Sequence, residues 1–165
     1  MKIFATSDTH FSHRKLVEYG RPEDFEERQL VALARLSGDL LIHCGDFCIG
    51  NNEENNKRFL IAASGFKRKI LVRGNHDPQS DNWYLNAGWD FVCESFVNTY
   101  FGKKIIFTHI PTHHFPQFDH NIHGHLHGNQ HRLEGALAEM YEPGYHIDLA
   151  PEIRNYSPVN IQSLL

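Results

Sequence analysis

The sequence predicts a mixed α/β protein, on three observations. In its first half, short apolar runs alternate with segments of helical spacing, which argues for parallel strands joined by right-handed crossovers. In its second half, β-branched and aromatic segments flank a glycine-containing turn, which argues for a hairpin. Three of the apolar runs stop directly before short polar motifs, where open α/β sheets carry their sites.

Residues 2–7 read as the first strand. Residues 14–19 and 24–36 read as helices, the second with Phe25, Leu30, Leu33 and Leu36 on one side until Ser37-Gly38 breaks it. Residues 40–44 form the second strand, 53–63 a helix and 69–72 the third strand. Beyond Pro78, residues 91–100 and 104–108 are the arms of a hairpin turning at Phe101-Gly102-Lys103. Residues 120–123 make a further short strand, and the tail from 144 to 165 supplies two more, separated by Pro151 and Pro158.

A chain of 165 residues is about one domain, so residues 1–165 are expected to fold as a single unit. Hydrophobic content of 41% and charged content of 22% are those of globular proteins. The net charge of −4 argues against a nonspecific grip on nucleic acid, which needs a basic patch or stripe. Met1 runs straight into the first strand without room for a secretory leader, and no apolar stretch reaches spanning length, so no membrane is expected. Three cysteines, Cys44, Cys48 and Cys93, are odd in number and lack a framework spacing, which suggests a reduced, cytoplasmic protein. Cys44 and Cys48 make a poor thiolate zinc pair, because no second pair follows and Cys44 lies in an apolar run.

Five motifs carry chemistry: Asp8-Thr9-His10, Gly45-Asp46, Gly74-Asn75-His76-Asp77, His109 and Gly124-His125-Leu126-His127. Each offers oxygen or imidazole nitrogen, donors that suit divalent cations. Asp8 and His10 stand two apart, as do His125 and His127; in extended backbone such residues point to the same side. Alone, each pair is a common chance match or a polar loop. Their order, with Gly-Asn-His-Asp after a strand, raises them above chance.

This set and order resembles the calcineurin-like metallophosphoesterases, dinuclear phosphate-ester hydrolases, from Asp8 to His127. The resemblance implies two mixed β-sheets packed face to face with flanking helices, a four-layer α/β/β/α sandwich. It implies that Asp8, His10 and His127 hold a first metal, that Asn75, His109 and His125 hold a second, and that Asp46 bridges them. Manganese is the first expectation; iron, zinc, nickel or cobalt would suit the same thiolate-free donors. Two dications against the carboxylates of Asp8 and Asp46 leave about +2, and a bridging hydroxide about +1, attractive to a phosphate ester. The expected mechanism is in-line attack by that hydroxide, shared by metals roughly 4 Å apart.

By the same resemblance His76 is not a ligand but stabilises or protonates the leaving oxygen. A carboxylate partner would help keep it protonated beside two dications. Asp77 is adjacent, but neighbouring side chains seldom point together, so it is read as bracing the loop. The related serine/threonine protein phosphatases continue Gly-Asp to a further acid and an arginine; here Gly45-Asp46-Phe47-Cys48-Ile49-Gly50 has neither. That argues against protein-phosphatase activity and leaves the partner of His76 unassigned.

Substrate contacts are proposed at His13, Arg73 and His113. For His13 a solvated helix start is the alternative, and for Arg73 a surface ion pair. His114 and His123 sit near ligands in sequence, as second-layer or exposed groups. His43, inside a strand, reads as a hydrogen-bonded core residue. His120, His131 and His146 carry no assignment. Only 15 residues lie between His109 and His125, too few for a capping domain, so the site should be open to a small phosphate ester or nucleotide-like substrate. The leading function is a metal-dependent phosphoesterase acting on phosphodiesters. The alternatives are a phosphomonoesterase or nuclease with the same site, or a binding scaffold like the retromer subunit that keeps this fold without catalytic groups.

Overall fold

The computed structural model describes residues 1–129, 132–133 and 135–165. Nine strands are described: β1 (Ile3–Thr6), β2 (Gly38–His43), β3 (Phe66–Val72), β4 (Phe91–Cys93), β5 (Ser95–Tyr100), β6 (Lys103–Thr108), β7 (His120–His123), β8 (His146–Asp148) and β9 (Val159–Asn160). The helices are α1 (Phe25–Ala34), α2 (Asn52–Ala62), α3 (Asp81–Ala87) and α4 (Ala136–Met140). None of the described helices is long and apolar enough to cross a membrane.

The strands form two mixed sheets, β4-β3-β2-β1-β9 and β5-β6-β7-β8. In the first, β1 to β4 pair in parallel and β9 runs antiparallel to β1. In the second, β5 and β6 are antiparallel while β6, β7 and β8 are parallel. Alternation along β2 shows why the sheets stack. Leu40 and Ile42 face a core shared with Ile105, Phe107, Ile122 and Ile147 of the second sheet. Leu41 faces the other way, into a second core with Leu33 of α1, Phe59 of α2 and Tyr84 of α3. A strand buried on both faces reads as a continuous apolar run, as Leu40-Leu41-Ile42 does before the buried His43. The two-sheet sandwich with flanking helices is therefore the observed fold.

Several local expectations change. Residues 14–19 form only a 3-10 turn, Arg14–Val17, because Gly20 at φ +102° and Pro22 stop a segment already too short to propagate a helix. The segment 91–100 is not one hairpin arm. It divides at Glu94, with β4 pairing parallel to β3 in the first sheet and β5 pairing with β6 in the second. Both halves read as strand, and period-two spacing cannot tell which sheet a strand joins. Residues 81–87, without an expected element, form α3. Its signals are present: Ser80 caps the start by accepting from the Trp83 N–H, and Gly88 ends it at φ +115°. The hairpin turn is as expected, with Phe101 and Gly102 both at positive φ (53° and 78°) between the paired Tyr100 and Lys103.

Candidate metal centre

The loops that leave β1, β2, β3, β6 and β7 meet at one edge of the sandwich, carrying all five motifs. Their backbones are laced together. The N–H of Asp8 donates to Gly45 O (2.9 Å), that of His10 to Asp46 O (3.1 Å) and that of Phe11 to Phe47 O (3.1 Å). Asp77 joins the third loop to the second, its carboxylate accepting the N–H groups of Gly74 (2.8 Å), Asp46 (2.9 Å) and Phe47 (2.9 Å). Asp77 is thus the expected loop brace.

The paired motifs do converge, though not through extended backbone. Asp8 and His10 lie at φ +48° each, His125 at +73° and His127 at +55°; Asp46 is at +55°. Left-handed conformations at non-glycine residues are uncommon, cost roughly 1–3 kcal/mol each, and concentrate at functional sites. Here they turn each loop back on itself while its amides stay bonded to the neighbouring loop. Space is equally tight. A Cβ added at Gly124 would run into the Asp8 carboxylate and Ser7, and one at Gly74 into Asp46, so no larger residue fits either place.

Two donor clusters result, Asp8 with His10 and His127, and Asp46 with His109 and His125. Nitrogen faces nitrogen within each cluster. His10 Nε2 is 3.2 Å from His127 Nε2, and His125 Nδ1 is 3.2 Å from His109 Nε2. Asp46 Oδ2 lies between the clusters, 3.5 Å from His10 Nε2 and 3.4 Å from His109 Nε2, and Asn75 Oδ1 is 3.1 Å from His109 Nε2. All seven expected ligands are therefore brought together. Donors bound to one ion at about 2.1 Å stand roughly 3.0–3.4 Å apart along a polyhedron edge; the nitrogen–nitrogen separations match this, while Asp8 Oδ1 stands wider, 3.6 Å from His127 Nε2 and 3.8 Å from His10 Nε2.

The electrostatics agree. Burial pushes the Asp8 carboxyl above its usual value, a carboxylate short of a compensating charge. Burial also brings His10 down to about 2, which keeps it in the neutral, ligand-competent form. Burial alone would lower His109, but its bond to Asp46 and the charges of Asp8 and Asp46 lift it to about 9; in a metal-free site it holds the proton a cation would displace. The His109 ring is set by its Nδ1–H, which donates to Cys44 O at 2.9 Å and leaves Nε2 for the cluster.

His76 stands at the mouth, its side chain 47% exposed and its ring 5.5 Å from His10. Its N–H donates to Asp46 Oδ1 (2.8 Å), and Nε2 lies 4.0 Å from Asp46 Oδ2. Among the described residues Asp46 is the carboxylate within 4.0 Å of that ring, so no separate partner of His76 emerges. His13 borders the same mouth, 5.4 Å from the His10 ring and 6.4 Å from that of His76. Arg73 lines a cleft beside Asn75 and His109, but Asp81 (2.8 Å) and Glu94 (3.4 Å) both pair with it. His113 is exposed, its ring near Phe115, and His114 pairs with Glu142 at 2.9 Å. His43 is the buried core residue expected, bonded through Nε2 to Thr9 Oγ1 at 3.0 Å. His131 lies outside the described residues.

Sequence reasoning misses Arg21 and Glu152. Arg21 is almost fully buried and donates to Asp8 O (2.9 Å) and Thr9 O (3.3 Å), while its Nε pairs with Glu152 at 2.8 Å. Glu152 also meets His127 Nδ1 at 3.0 Å. Burial would raise its carboxyl, but His127 and Arg21 hold it below the usual range. No motif marks this pair, which is distant in sequence and joined only by folding.

The family model for calcineurin-like phosphoesterases matches residues 1–148. An uncharacterized protein of Methanocaldococcus jannaschii is 27% identical over 173 residues, covering 99% of this chain and 89% of its own. A structure of a protein of unknown function from Aquifex aeolicus has a TM-score of 0.77 at 28% identity, over 99% of this chain and 97% of that one. Yfce, a phosphoesterase from E. coli, shares the fold with a TM-score of 0.51 at 18% identity, over 92% and 79% of the two chains.

Proposed function

The chain belongs to the calcineurin-like phosphoesterase family, and on that footing we propose that it hydrolyses phosphodiesters at two divalent cations, manganese first among them. Asp8, His10 and His127 would hold one cation, Asn75, His109 and His125 the other, with Asp46 shared. The observation that carries this is the meeting of two donor clusters at Asp46 beneath an exposed histidine.

Bound cations of this kind supply an acidified water and a clamp on phosphate oxygens. The chain's own groups do the rest. Asp46 spans the two clusters and, through the His76 N–H, fixes the loop that carries His76. His76 would give a proton to the departing oxygen, a role supported by a ring that is exposed and beside the clusters. Arg21 and Asp77 hold the loops and stay out of reach of substrate.

Diester preference rests on the cations at the rim. A monoester carries an extra negative charge near neutrality and calls for a further cationic grip. Arg73 is already engaged by Asp81 and Glu94, and Arg21 is sealed beneath the loops. Arg132, exposed and donating to His125 O at 3.4 Å, is a further basic group beside the second cluster. The test compares bis(p-nitrophenyl) phosphate with p-nitrophenyl phosphate in the presence of manganese. A higher kcat/KM for the diester is expected, with no activity after chelation. A clear monoester preference across several metals would overturn the diester reading and direct attention to Arg132.

A further inference from the structure

We propose that Glu152 is a positioning residue for His127, selecting the imidazole tautomer that can bind a cation. The proposal rests on the metal reading above. It concerns a residue outside the region matched by the family model, since Glu152 belongs to the 3-10 turn Pro151–Ile153 in the tail.

His127 Nδ1 has two neighbours of opposite character. Glu152 Oε1, at 3.0 Å, can only accept, and Arg21 Nη2, at 3.2 Å, can only donate. A neutral imidazole carries one N–H. If Nδ1 holds it, the proton bonds to Glu152, and Nε2 presents a bare lone pair toward His10 Nε2 (3.2 Å) and Asp8 Oδ1 (3.6 Å). If Nε2 holds it, Arg21 donates into Nδ1, and an N–H points into the space a cation would occupy. The two partners therefore favour opposite tautomers, and only the one Glu152 favours leaves a ligand.

Arg21 keeps this arrangement in register. Its Nε bonds the same Oε1 at 2.8 Å, and its other nitrogens hold the carbonyls of Asp8 and Thr9. One buried guanidinium thus ties the carboxylate that orients His127 to the backbone that carries Asp8. Without Glu152, the Arg21 charge would face His127 unopposed, donating to Nδ1 and repelling a cation. Groups that orient a ligating histidine are typically worth 10- to 100-fold in metal affinity.

The test uses zinc alone, titrated calorimetrically into the metal-free full chain, with the His127 tautomer read from imidazole nitrogen resonances before zinc is added. Wild type should show Nδ1–H and two binding events. Glu152→Ala should shift His127 toward Nε2–H and weaken one event by roughly 10- to 100-fold while the other is unchanged. Glu152→Asp keeps the charge beside Arg21 but draws the carboxylate back from Nδ1. It should weaken the same event more mildly, and it decides the question if the alanine variant does not fold. Wild-type tautomer and wild-type affinities in the folded variants would overturn the role of Glu152 and leave the metal reading standing. A wild-type chain that binds no zinc would overturn the metal reading itself.

Discussion

Asp46 and His76 lie within 4.0 Å of each other yet should fail in different ways. Asp46 faces both clusters, so Asp46→Asn removes a charge shared by two cations. Loss of both metals and of activity is expected, whereas Asn75→Ala takes away one neutral oxygen and should be milder; metal content measured on the purified variants checks both. Two-metal occupancy in Asp46→Asn would contradict the shared position. The His76 side chain stands 4.0 Å from Asp46 Oδ2, and the backbone N–H that bonds Asp46 survives substitution, so His76→Gln should retain its metals and lose roughly 10²- to 10⁴-fold in rate. That deficit should shrink for esters with good leaving groups, which leave without a proton. An equal deficit across leaving groups would remove the acid role.

At the scale of elements, the loops of the site are delivered by strands and are also bonded to one another. Asp77 accepts three backbone N–H groups from two loops and is itself buried. Asp77→Ala leaves those donors unpaired at about 1–3 kcal/mol each, less whatever water replaces. A stability loss of a few kcal/mol in a urea melt is expected, together with weaker metal binding. An unaltered melt would show that the loops hold without it. This brace was legible in the sequence only as a negative, because adjacent side chains seldom converge on one target. The partition of residues 91–100 between two sheets was not legible at all, since Phe91–Cys93 and Ser95–Tyr100 have the same strand character and differ only in partner.

Across the whole molecule, two buried cores hold the layers together, one of them between the sheets. Phe107 is fully buried there and stacks on Phe96 with ring centroids 4.7 Å apart, so Phe107→Ala should cost about 3–5 kcal/mol in denaturant unfolding. A cost below about 1 kcal/mol would mean the layer collapses around the gap. Metal should stabilise the chain as well, because Asp8 and Asp46 crowd buried carboxylates into one place. At 100 times the dissociation constant each site adds about 2.7 kcal/mol. At roughly 2–4 °C per kcal/mol, two sites should raise Tm by about 10–20 °C over the chelated protein. Equal melting with and without metal would count against binding in the folded state.

Local composition and short spacing were enough for the mixed α/β class and for the strands that deliver the motifs, and the resemblance of those motifs to calcineurin-like phosphoesterases named the seven clustered residues. Asp8, His10, Asp46, Asn75, His109, His125 and His127 could be named from five motifs without coordinates. How the paired motifs converge, through left-handed turns at Asp8, His10, His125 and His127, emerges only in the folded chain. Only it joined Arg21 and Glu152 to His127, and only it neutralised Arg73 between Asp81 and Glu94. Spacing along a chain records which donors are available. Which of them is turned, paired or charged depends on contacts between segments far apart in sequence, and these exist only after the two sheets have closed on their shared core.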